Sequence, residues 1–597
     1  MDIELMLQQL LNKYGLNKKE EISYVIKSNR EHIKRQWDTI SNKKRIAIWC
    51  AGGHTQALLK LVDTSKKNIV CIIDKNKEIW GQKIQGINII SKDQMELYNI
   101  DIVVISTISY IEEIECELNK LGYEYLNFYK NVNDSNITSD NITQTVCWQD
   151  NIKSNFRANY VSIFLLSDKY EKEKILSKKE IWLTKLIIEY LNIKDFVYGK
   201  IFINKYIQHN FKNSKKYRDF LLELDTLLNN IKHKMSLRVN NDFIFIFCDA
   251  LRFDVIEDCR KFKNDLKFFN YISNNSVYYL NAFANSTYTR ASFKSIFEEE
   301  LVIDDKGYQK REYCINVEDS ELFKGFLKKN YKIVNNSVML IKDEKKNNNI
   351  INNINDKFNF ETCPEQLWKM LSCFCKHKDN IFVINQFMES HRPYISGGNT
   401  KMSILFNKGS KILKKQCYES IMYIDKQLEF YYEFFPKNSY KIFTSDHGQT
   451  DIEEDQKHFN YFSSSDYVTK TPLCILQNGL KNEIRDELFS KINLSKLILK
   501  LITTNKIHYF DTKFVNIQRD EIYNIKVLGL KEIEEVEQKK YVKAFKAIRT
   551  LNEKYVLYDD GSEEFYILPN EEMNEIDNPT YKQLINEIKG YLKNKEF

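Results

Sequence analysis

Four segments of the chain place side chains that bind metals or attack esters at the ends of short apolar runs. The acidic and imidazole side chains among them are Asp249, His391, Asp446 and His447, and His458 follows the last of these. In open α/β sheets, ligands bind beyond the carboxyl ends of strands, so these ends are expected to meet. Carboxylates and imidazoles suit zinc or manganese, and such an ion lowers the pKa of a bound hydroxyl. The pattern predicts a metal-dependent reaction.

The remaining segment, FANSTYTRASFKSIF, carries a cluster of hydroxyl side chains followed by a helical pattern. Taken singly, each feature has an ordinary structural explanation. An Asp after a strand often caps a helix, and Ser286 or Thr287 can do so here. Three of only nine histidines fall in these segments, however, each close to a strand. The combination favours one catalytic site over several unrelated turns.

Residues from about 241 to 475 resemble the sulfatase and phosphoethanolamine-transferase branches of the alkaline phosphatase superfamily, most specifically at TSDHG. Near the C-terminus, IRTLNEKYVLYDDGSEEFYILPNEEMNEIDNP is similar to the tail pattern of sulfatases. Its DDG also predicts a hairpin turn on physical grounds. The resemblance implies an α/β fold with an alkaline-phosphatase-like mixed sheet sandwiched by helices.

The same resemblance implies roles for the metal-type side chains. Asp249, Asp446 and His447 match the ligands of a first ion, with the nucleophile as a fourth ligand. His391, in ESHRPY, is similar to the SHGP histidine of phosphoethanolamine transferases, which binds a second ion together with a later histidine, here His458. The expected cofactor is one or two divalent ions, with zinc favoured and manganese or calcium as alternatives.

The identity of the nucleophile depends on the branch used for comparison. Against the transferases, Thr289 matches the catalytic threonine, 40 residues after Asp249. Against the sulfatases, the CxPSRAS motif places the reactive residue at Ser286 and its arginine at Arg290. That alternative requires a formylglycine made from serine, and Thr287 is a third candidate.

Two arginines are candidates for binding the free oxygens of the ester, because a guanidinium offers a planar fork of donors. Arg290 directly follows the favoured nucleophile, and Arg252 follows the first strand end. A structural ion pair is the alternative role for Arg252. His391 or His458 is predicted to move a proton to the leaving group.

A different pattern, with short apolar strands alternating with helices, runs from Lys44 to about residue 130. Gly52 and Gly53 stand between its first strand and a helix, where backbone N–H groups can hold a phosphate. Asp74 ends the next strand, where dinucleotide folds place an acid for the ribose. The stretch resembles the Rossmann-like units found beside surface-glycan biosynthesis enzymes. Nucleotide or nucleotide-sugar binding is one prediction, and a structural turn is the alternative because the full GxGxxG is absent.

The pattern divides the chain into five segments of an α/β protein. A helical segment spans residues 1–40, and a Rossmann-like parallel domain spans 41–135. A linker and helical connector occupy 136–240, the sulfatase-like catalytic domain 241–475, and a C-terminal subdomain of sulfatase type 476–597.

Composition excludes several classes of protein. The chain is 43% hydrophobic and 13% aromatic, which excludes a mostly disordered protein. A net charge of +7, from 89 basic and 82 acidic residues, gives no case for a nucleic-acid partner. The sequence shows no signal-peptide pattern and no apolar stretch of about 18 residues, so no transmembrane segment and a cytoplasmic location are expected. Phosphoethanolamine transferases, in contrast, are membrane-anchored.

These features predict a metal-dependent phosphoester transferase or hydrolase that acts on a small-molecule or glycan phosphoester, during modification of a surface glycan or its precursor. Thr289 would form a covalent phosphothreonine that water or an acceptor hydroxyl resolves. Two alternatives stay open. One is a sulfatase that uses formylglycine at position 286, and the other is a non-catalytic binding module on the same fold.

Overall fold

The computed structural model describes residues 1–17, 24–107, 111–128, 156–262, 265–301, 314–353, 360–402, 411–449, 463–520, 543–569 and 571–592. The chain forms two compact units. The larger unit comprises Met1–Asn17, Tyr190–Thr400 and Phe406–Phe597, and the smaller comprises Lys18–Glu189 with Lys401–Leu405.

The smaller unit is built on a six-stranded sheet. Its strands are β1 (Arg45–Trp49), β2 (Asn68–Ile73), β3 (Lys83–Ile84), β4 (Ile87–Ile90), β5 (Ile102–Ile105) and β6 (Tyr125–Asn127). They lie in the order β3-β4-β2-β1-β5-β6, and every neighbouring pair is parallel except the β3–β4 hairpin. The parallel sheet predicted from Lys44 onward is therefore present.

Helices cover both faces of this sheet, which is why β1, β2 and β5 are continuous apolar runs. The helices of the smaller unit are α2 (Tyr24–Asp38), α3 (Gly53–Leu61), α4 (Ile111–Leu121) and α5 (Phe156–Lys172). Ile48 packs with Leu58 of α3 on one face, and Trp49 packs with Leu118 of α4 on the other.

The larger unit contains an eight-stranded mixed sheet. Its strands are β7 (Phe243–Cys248), β8 (Val277–Phe283), β10 (Lys332–Asn336), β12 (Ile350–Asn352), β13 (Ile381–Phe387), β14 (Tyr440–Thr444), β15 (Leu473–Leu476) and β16 (Glu483–Ser490). They lie in the order β12-β10-β13-β7-β14-β15-β8-β16. Only the two pairs made by β15 are antiparallel. The prediction of an α/β fold with a mixed sheet is confirmed.

Helices also pack on both faces of the mixed sheet. Helix α6 (Leu176–Asn192) lies in the smaller unit up to Glu189 and ends in the larger one. The described helices of the larger unit are α1 (Ile3–Lys13), α7 (Phe196–Gln208), α8 (Ser214–Ser236), α9 (Phe253–Phe262), α10 (Lys267–Asn274), α11 (Thr289–Phe297), α12 (Glu321–Lys328), α13 (Cys363–Lys376), α14 (Lys411–Tyr432), α15 (Asp466–Thr469), α16 (Leu494–Thr504) and α17 (Lys582–Tyr591). Helices α11, α12 and α16 pack on the face that carries Phe243, Phe245 and Phe247. On the opposite face, Asn385 of β13 donates to Met370 Sδ of α13 at 3.6 Å. Within the described ranges, no helix is both long and apolar enough to cross a membrane.

Two smaller sheets complete the larger unit. A parallel pair joins β9 (Cys314–Asn316) and β11 (Leu340–Lys342). An antiparallel sheet joins β17 (Val515–Arg519), β18 (Phe545–Arg549), β19 (Glu553–Tyr558) and β20 (Glu563–Ile567) in sequence order. The predicted DDG turn connects β19 to β20, and Gly561 adopts a φ of +81° there.

Candidate active site

Asp249 lies at the carboxyl end of β7, in the middle of the mixed sheet. All six residues of this strand are buried, since apolar side chains fill both of its faces. Asp249 itself is fully buried, and its N–H donates to Phe387 O of β13 at 2.9 Å. The next residue, Ala250, has a φ of +56°, a left-handed conformation that costs a non-glycine residue about 1–3 kcal/mol. The turn therefore holds the carboxylate in place at the cost of local strain.

Asp446 lies beside Asp249 because β14 pairs in parallel with β7. The register sets Thr444 opposite Phe247, and an aspartate follows two positions after each of these paired residues. The turn is locked by Ala250, whose N–H donates to Asp446 Oδ1 at 3.1 Å. Both carboxylates are fully buried. The strand pairing alone thus brings two acidic groups together.

His447 completes a group of three metal-type side chains. Its Nδ1 lies 2.7 Å from Gly448 O, which fits a ring that donates through Nδ1 and turns Nε2 toward the carboxylates. One ligand atom from each of Asp249, Asp446 and His447 lies within 4.8 Å of the others. The structure therefore brings together the three side chains predicted to bind the first ion.

Gly448 is required by the close approach of another segment. Its N–H donates to Val468 O at 2.6 Å, and a Cβ at this position would lie 2.1 Å from Tyr467 O. Because that atom belongs to the backbone, a larger residue could be accommodated only if the turn at Gly448 or the backbone of Tyr467 moved.

Thr289 is the first residue of α11 and faces the same group. Its Oγ1 lies 3.3 Å from Asp249 Oδ2 and 3.3 Å from His447 Nε2. The side chain is half-buried, so one side of it stays open. The start of a helix also favours negative charge nearby. The candidate nucleophile thus lies where a fourth ligand would stand.

A divalent cation fits the donor set. Asp249 Oδ1 and Asp446 Oδ2 are buried, and neither has a hydrogen-bond partner among the described residues. Burial, followed by the neighbouring Asp446 charge, raises the pKa of Asp249 well above its usual range. Two desolvated carboxylate oxygens beside an imidazole nitrogen match the N and O ligands that zinc accepts. The residues predicted to hold the ion therefore suit it.

Gln386 of β13 supports the site, and the sequence analysis did not identify it. Its Nε2 donates to Asp249 Oδ2 at 2.5 Å, and its Oε1 accepts from Val338 N at 3.1 Å. Since an N–H can only donate, the bond from Val338 fixes the amide orientation. The backbone N–H of Gln386 donates to Gln366 Oε1 at 2.9 Å. Helix α13 thus fixes the strand residue that orients Asp249.

Lys491 is a second residue that the sequence analysis missed. It is fully buried after β16, and its Nζ donates to Ser445 O, the carbonyl just before Asp446. Burial lowers the pKa of Lys491 to about 7. The residues around Lys491, in FSKINL, give no indication that distinguishes it from the many surface lysines.

The segment that precedes Thr289 is tied to the C-terminal part of the unit. Asn285 Nδ2 donates to Ser490 Oγ and to Asn516 O, each at 2.8 Å, and Asn285 Oδ1 accepts from Ile492 N at 2.8 Å. The C-terminal sheet therefore helps to position the candidate nucleophile.

The two alternative nucleophiles lie in a different environment. Ser286 and Thr287 are fully buried, and neither hydroxyl has a hydrogen-bond partner among the described residues. Ser286 forms a parallel bridge with Gln518 of the C-terminal sheet. The contacts to Asp249 and His447 are made by Thr289.

The other predicted site residues that the structure describes lie outside the group of Asp249, Asp446 and His447. His391 follows β13, and its Nδ1 lies 2.7 Å from Arg392 O; in the described part of the chain, it is not a member of the three-residue group. His458 lies outside the described residues. Arg290 is buried in the first turn of α11. Gly52, Gly53 and Asp74 belong to the smaller unit.

Arg252 forms an ion pair, which is the structural role that the sequence analysis gave as the alternative to ester binding. Its Nε and Nη2 donate to the two carboxylate oxygens of Asp254 at 2.9 and 2.5 Å. The guanidinium also stacks on the ring of Tyr467, 4.1 Å from its centre. A role in binding the ester stays a prediction for this side chain.

Comparison with known proteins gives one sequence match and a group of structural neighbours. Residues 42–127 match the family described as C2185-like, N-terminal. No curated protein matches the sequence significantly. Similar solved structures include a putative sulfatase from Bacteroides thetaiotaomicron (12% identity, TM-score 0.46), which aligns over 59% of this chain and 91% of its own. A phosphonate monoester hydrolase of Agrobacterium radiobacter (10% identity, TM-score 0.44) aligns over 59% and 95%.

Replacing His447 by alanine should remove most of the metal affinity, because the change deletes a ligand atom. The loss should exceed the roughly 10- to 100-fold expected when only a supporting hydrogen bond is removed. Calorimetric titration of the metal-free protein with zinc measures it. Equal affinity in the variant would show that the group does not bind the ion.

Replacing Gln386 by leucine should weaken zinc binding roughly 10- to 100-fold, because Asp249 loses the donor that orients it. Asn385→Leu is the matched control, since Asn385 is equally buried on the same strand and bonds Asn336 instead. The control should lower the melting temperature while leaving the zinc affinity unchanged. If the two variants bind zinc with equal affinity, the hydrogen bond from Gln386 to Asp249 does not support zinc binding, and Gln386 contributes only to packing.

Replacing Gly448 by alanine should destabilise the fold by about 1–3 kcal/mol, since the new Cβ forces the backbone of Tyr467 away. Chemical denaturation measures the change in unfolding free energy. Gly590→Ala is the control, because its Cβ would meet no described atom within 4 Å. An unchanged stability of the Gly448 variant would mean that the two segments are not in close contact.

Proposed function

We propose that the larger unit is a metal-dependent phosphoester transferase or hydrolase with Thr289 as its nucleophile. The observation that carries the proposal is the position of Thr289 Oγ1, 3.3 Å from both Asp249 Oδ2 and His447 Nε2. Superfamily membership is suggested by the sequence from about 241 to 475 and agrees with the mixed sheet. A surface glycan or its precursor is the proposed substrate class, and the cytoplasm stays the predicted location.

The chain's own groups support a two-step displacement. Thr289 Oγ1 forms a bond to phosphorus while the ester P–O bond breaks, and the departing oxygen takes up a proton. Water or an acceptor hydroxyl then displaces the threonine, which regains its hydroxyl. A divalent ion held by Asp249, Asp446 and His447 would lower the pKa of the attacking hydroxyl and offset the charge of the ester.

Two further side chains have proposed roles around Thr289. Arg290 is adjacent to it in the first turn of α11 and would bind the free ester oxygens. His391 is proposed to exchange the proton of the leaving group. Its Nδ1 is engaged by Arg392 O, so Nε2 would carry that proton.

The burial of Ser286 argues against the sulfatase alternative. A formylglycine at this position would occupy the place of the Ser286 side chain, which is fully buried. Thr289, in contrast, is half-buried and touches two of the three metal-type residues. This difference favours phosphoester chemistry at Thr289 over sulfate-ester hydrolysis at position 286.

Thr289→Ala should lower kcat by several orders of magnitude, the size expected when a covalent nucleophile is removed. Turnover of phosphodiester, phosphomonoester and sulfate-ester test substrates by the zinc-loaded protein measures the effect. Thr289→Ser is the matched control, because it keeps a hydroxyl and should retain activity. Ser286→Ala should change kcat much less.

Mass spectrometry of the acid-quenched protein provides an independent readout. A phosphate or a heavier transferred group on Thr289 agrees with the proposal. Formylglycine at position 286, together with an active Thr289→Ala variant, would identify a sulfatase instead. Zinc binding without turnover of any substrate class would favour the non-catalytic alternative.

A further inference from the structure

The smaller unit has a topological switch point beside β1. From β1, the chain passes through α3 to β2 on one side, whereas β5 lies on the other side of β1. The connections diverge there, an arrangement that in open α/β sheets is expected to leave a crevice outside the carboxyl ends of the two strands, here β1 and β5. In open α/β sheets, such a crevice is where ligands bind.

A glycine, Gly52, precedes the first turn of helix α3 at this place, although its backbone conformation does not require a glycine. The nine-residue helix is capped by Gly52, which provides no side-chain cap. Gly52 has a φ of −79°, open to any residue, and a Cβ there would meet no described atom within 4 Å. The glycine leaves open space over the first turn, where backbone N–H groups and the helix dipole favour an anion.

Ser106 provides a second, independent indication. It follows β5, and its N–H donates to Trp49 O of β1 at 3.1 Å. By strand alternation its side chain lies on the same face as Ile102 and Val104, which pack with Leu58 of α3. Ser106 is 1% exposed, and its hydroxyl has no hydrogen-bond partner among the described residues. A buried donor without a partner, on the face of α3, is expected to have one when the site is filled.

Asp74 accepts hydrogen bonds from the backbone through both of its carboxylate oxygens. Its Oδ2 accepts from Ala51 N at 2.7 Å, and its Oδ1 accepts from Asn76 N at 2.8 Å. Each carboxylate oxygen therefore holds a backbone turn, so the proposed phosphate site does not depend on Asp74. Ribose binding by this residue stays a prediction.

We propose that this crevice binds the phosphate group of a phosphorylated small molecule, such as a sugar phosphate or a nucleotide-sugar. The Gly53 N–H at the start of α3 and the Ser106 hydroxyl donate hydrogen bonds to the phosphate oxygens. Gly52 allows the phosphate to approach the backbone. The ligand is recognised through its phosphate.

Calorimetric titration of the full-length protein tests the site with inorganic phosphate, a sugar 1-phosphate and a nucleotide-sugar. Gly52→Ala and Ser106→Ala should each weaken binding roughly tenfold or more, because one blocks the approach and the other removes a donor to a charged group. Neither change should lower the melting temperature, since the new Cβ has space and the lost hydroxyl has no partner. Gly590→Ala, in α17, should leave the binding unchanged.

Three results would overturn the proposal. One is the absence of saturable heat with all three ligands. Another is binding that neither Gly52→Ala nor Ser106→Ala weakens. The third is nucleotide-sugar binding that inorganic phosphate does not displace, since recognition would then rest on the base or sugar. Turnover at Thr289 is measured separately, so failure of this site leaves the proposed reaction untouched.

Discussion

The structure depends on two carboxylates that are held together away from water. Asp249 and Asp446 are both fully buried, and one oxygen of each has no hydrogen-bond partner in the described part of the chain. A buried charge without a partner costs several kcal/mol, and two like charges cost more. A divalent cation offsets that cost, as does protonation, which the raised pKa of Asp249 indicates. The fold is therefore expected to gain stability when the ion binds.

The surrounding elements hold these two carboxylates within the candidate active site. The parallel pairing of β7 with β14 sets the two carboxylates side by side. Gln386, fixed by α13, orients one of them, and Lys491 holds the carbonyl before the other. The anchored Asn285 positions the segment that leads into Thr289. Each support comes from a different part of the chain, so the site needs the whole larger unit.

The sequence was sufficient to predict the residues at the strand ends. Asp249, Asp446 and His447 follow buried apolar runs, and parallel strands bring such ends to one edge of a sheet. The alternation of short apolar strands with helices predicted the parallel sheet of the smaller unit. The mixed sheet of the larger unit was predicted from the family resemblance. The hydroxyl of Thr289 was predicted by resemblance, and its distances to Asp249 and His447 agree with that choice.

The supporting residues could not be predicted, because their roles depend on contacts between distant segments. Gln386 lies 137 residues from its partner Asp249. Arg252 shows the opposite case, since a structural ion pair was one of its two predicted roles and its partner Asp254 is only two residues away. Asp74 matched a ribose-binding pattern, and its oxygens also accept hydrogen bonds from Ala51 N and Asn76 N. The sequence pattern gave no sign of these two backbone contacts.

The most direct test of this account is X-ray diffraction from crystals grown with zinc, measured on both sides of the zinc absorption edge. The account predicts an anomalous peak in contact with Asp249, Asp446 and His447, with Thr289 Oγ1 beside it. If the map shows no peak there, and the side chains bond only to one another or to water, the central claim is wrong.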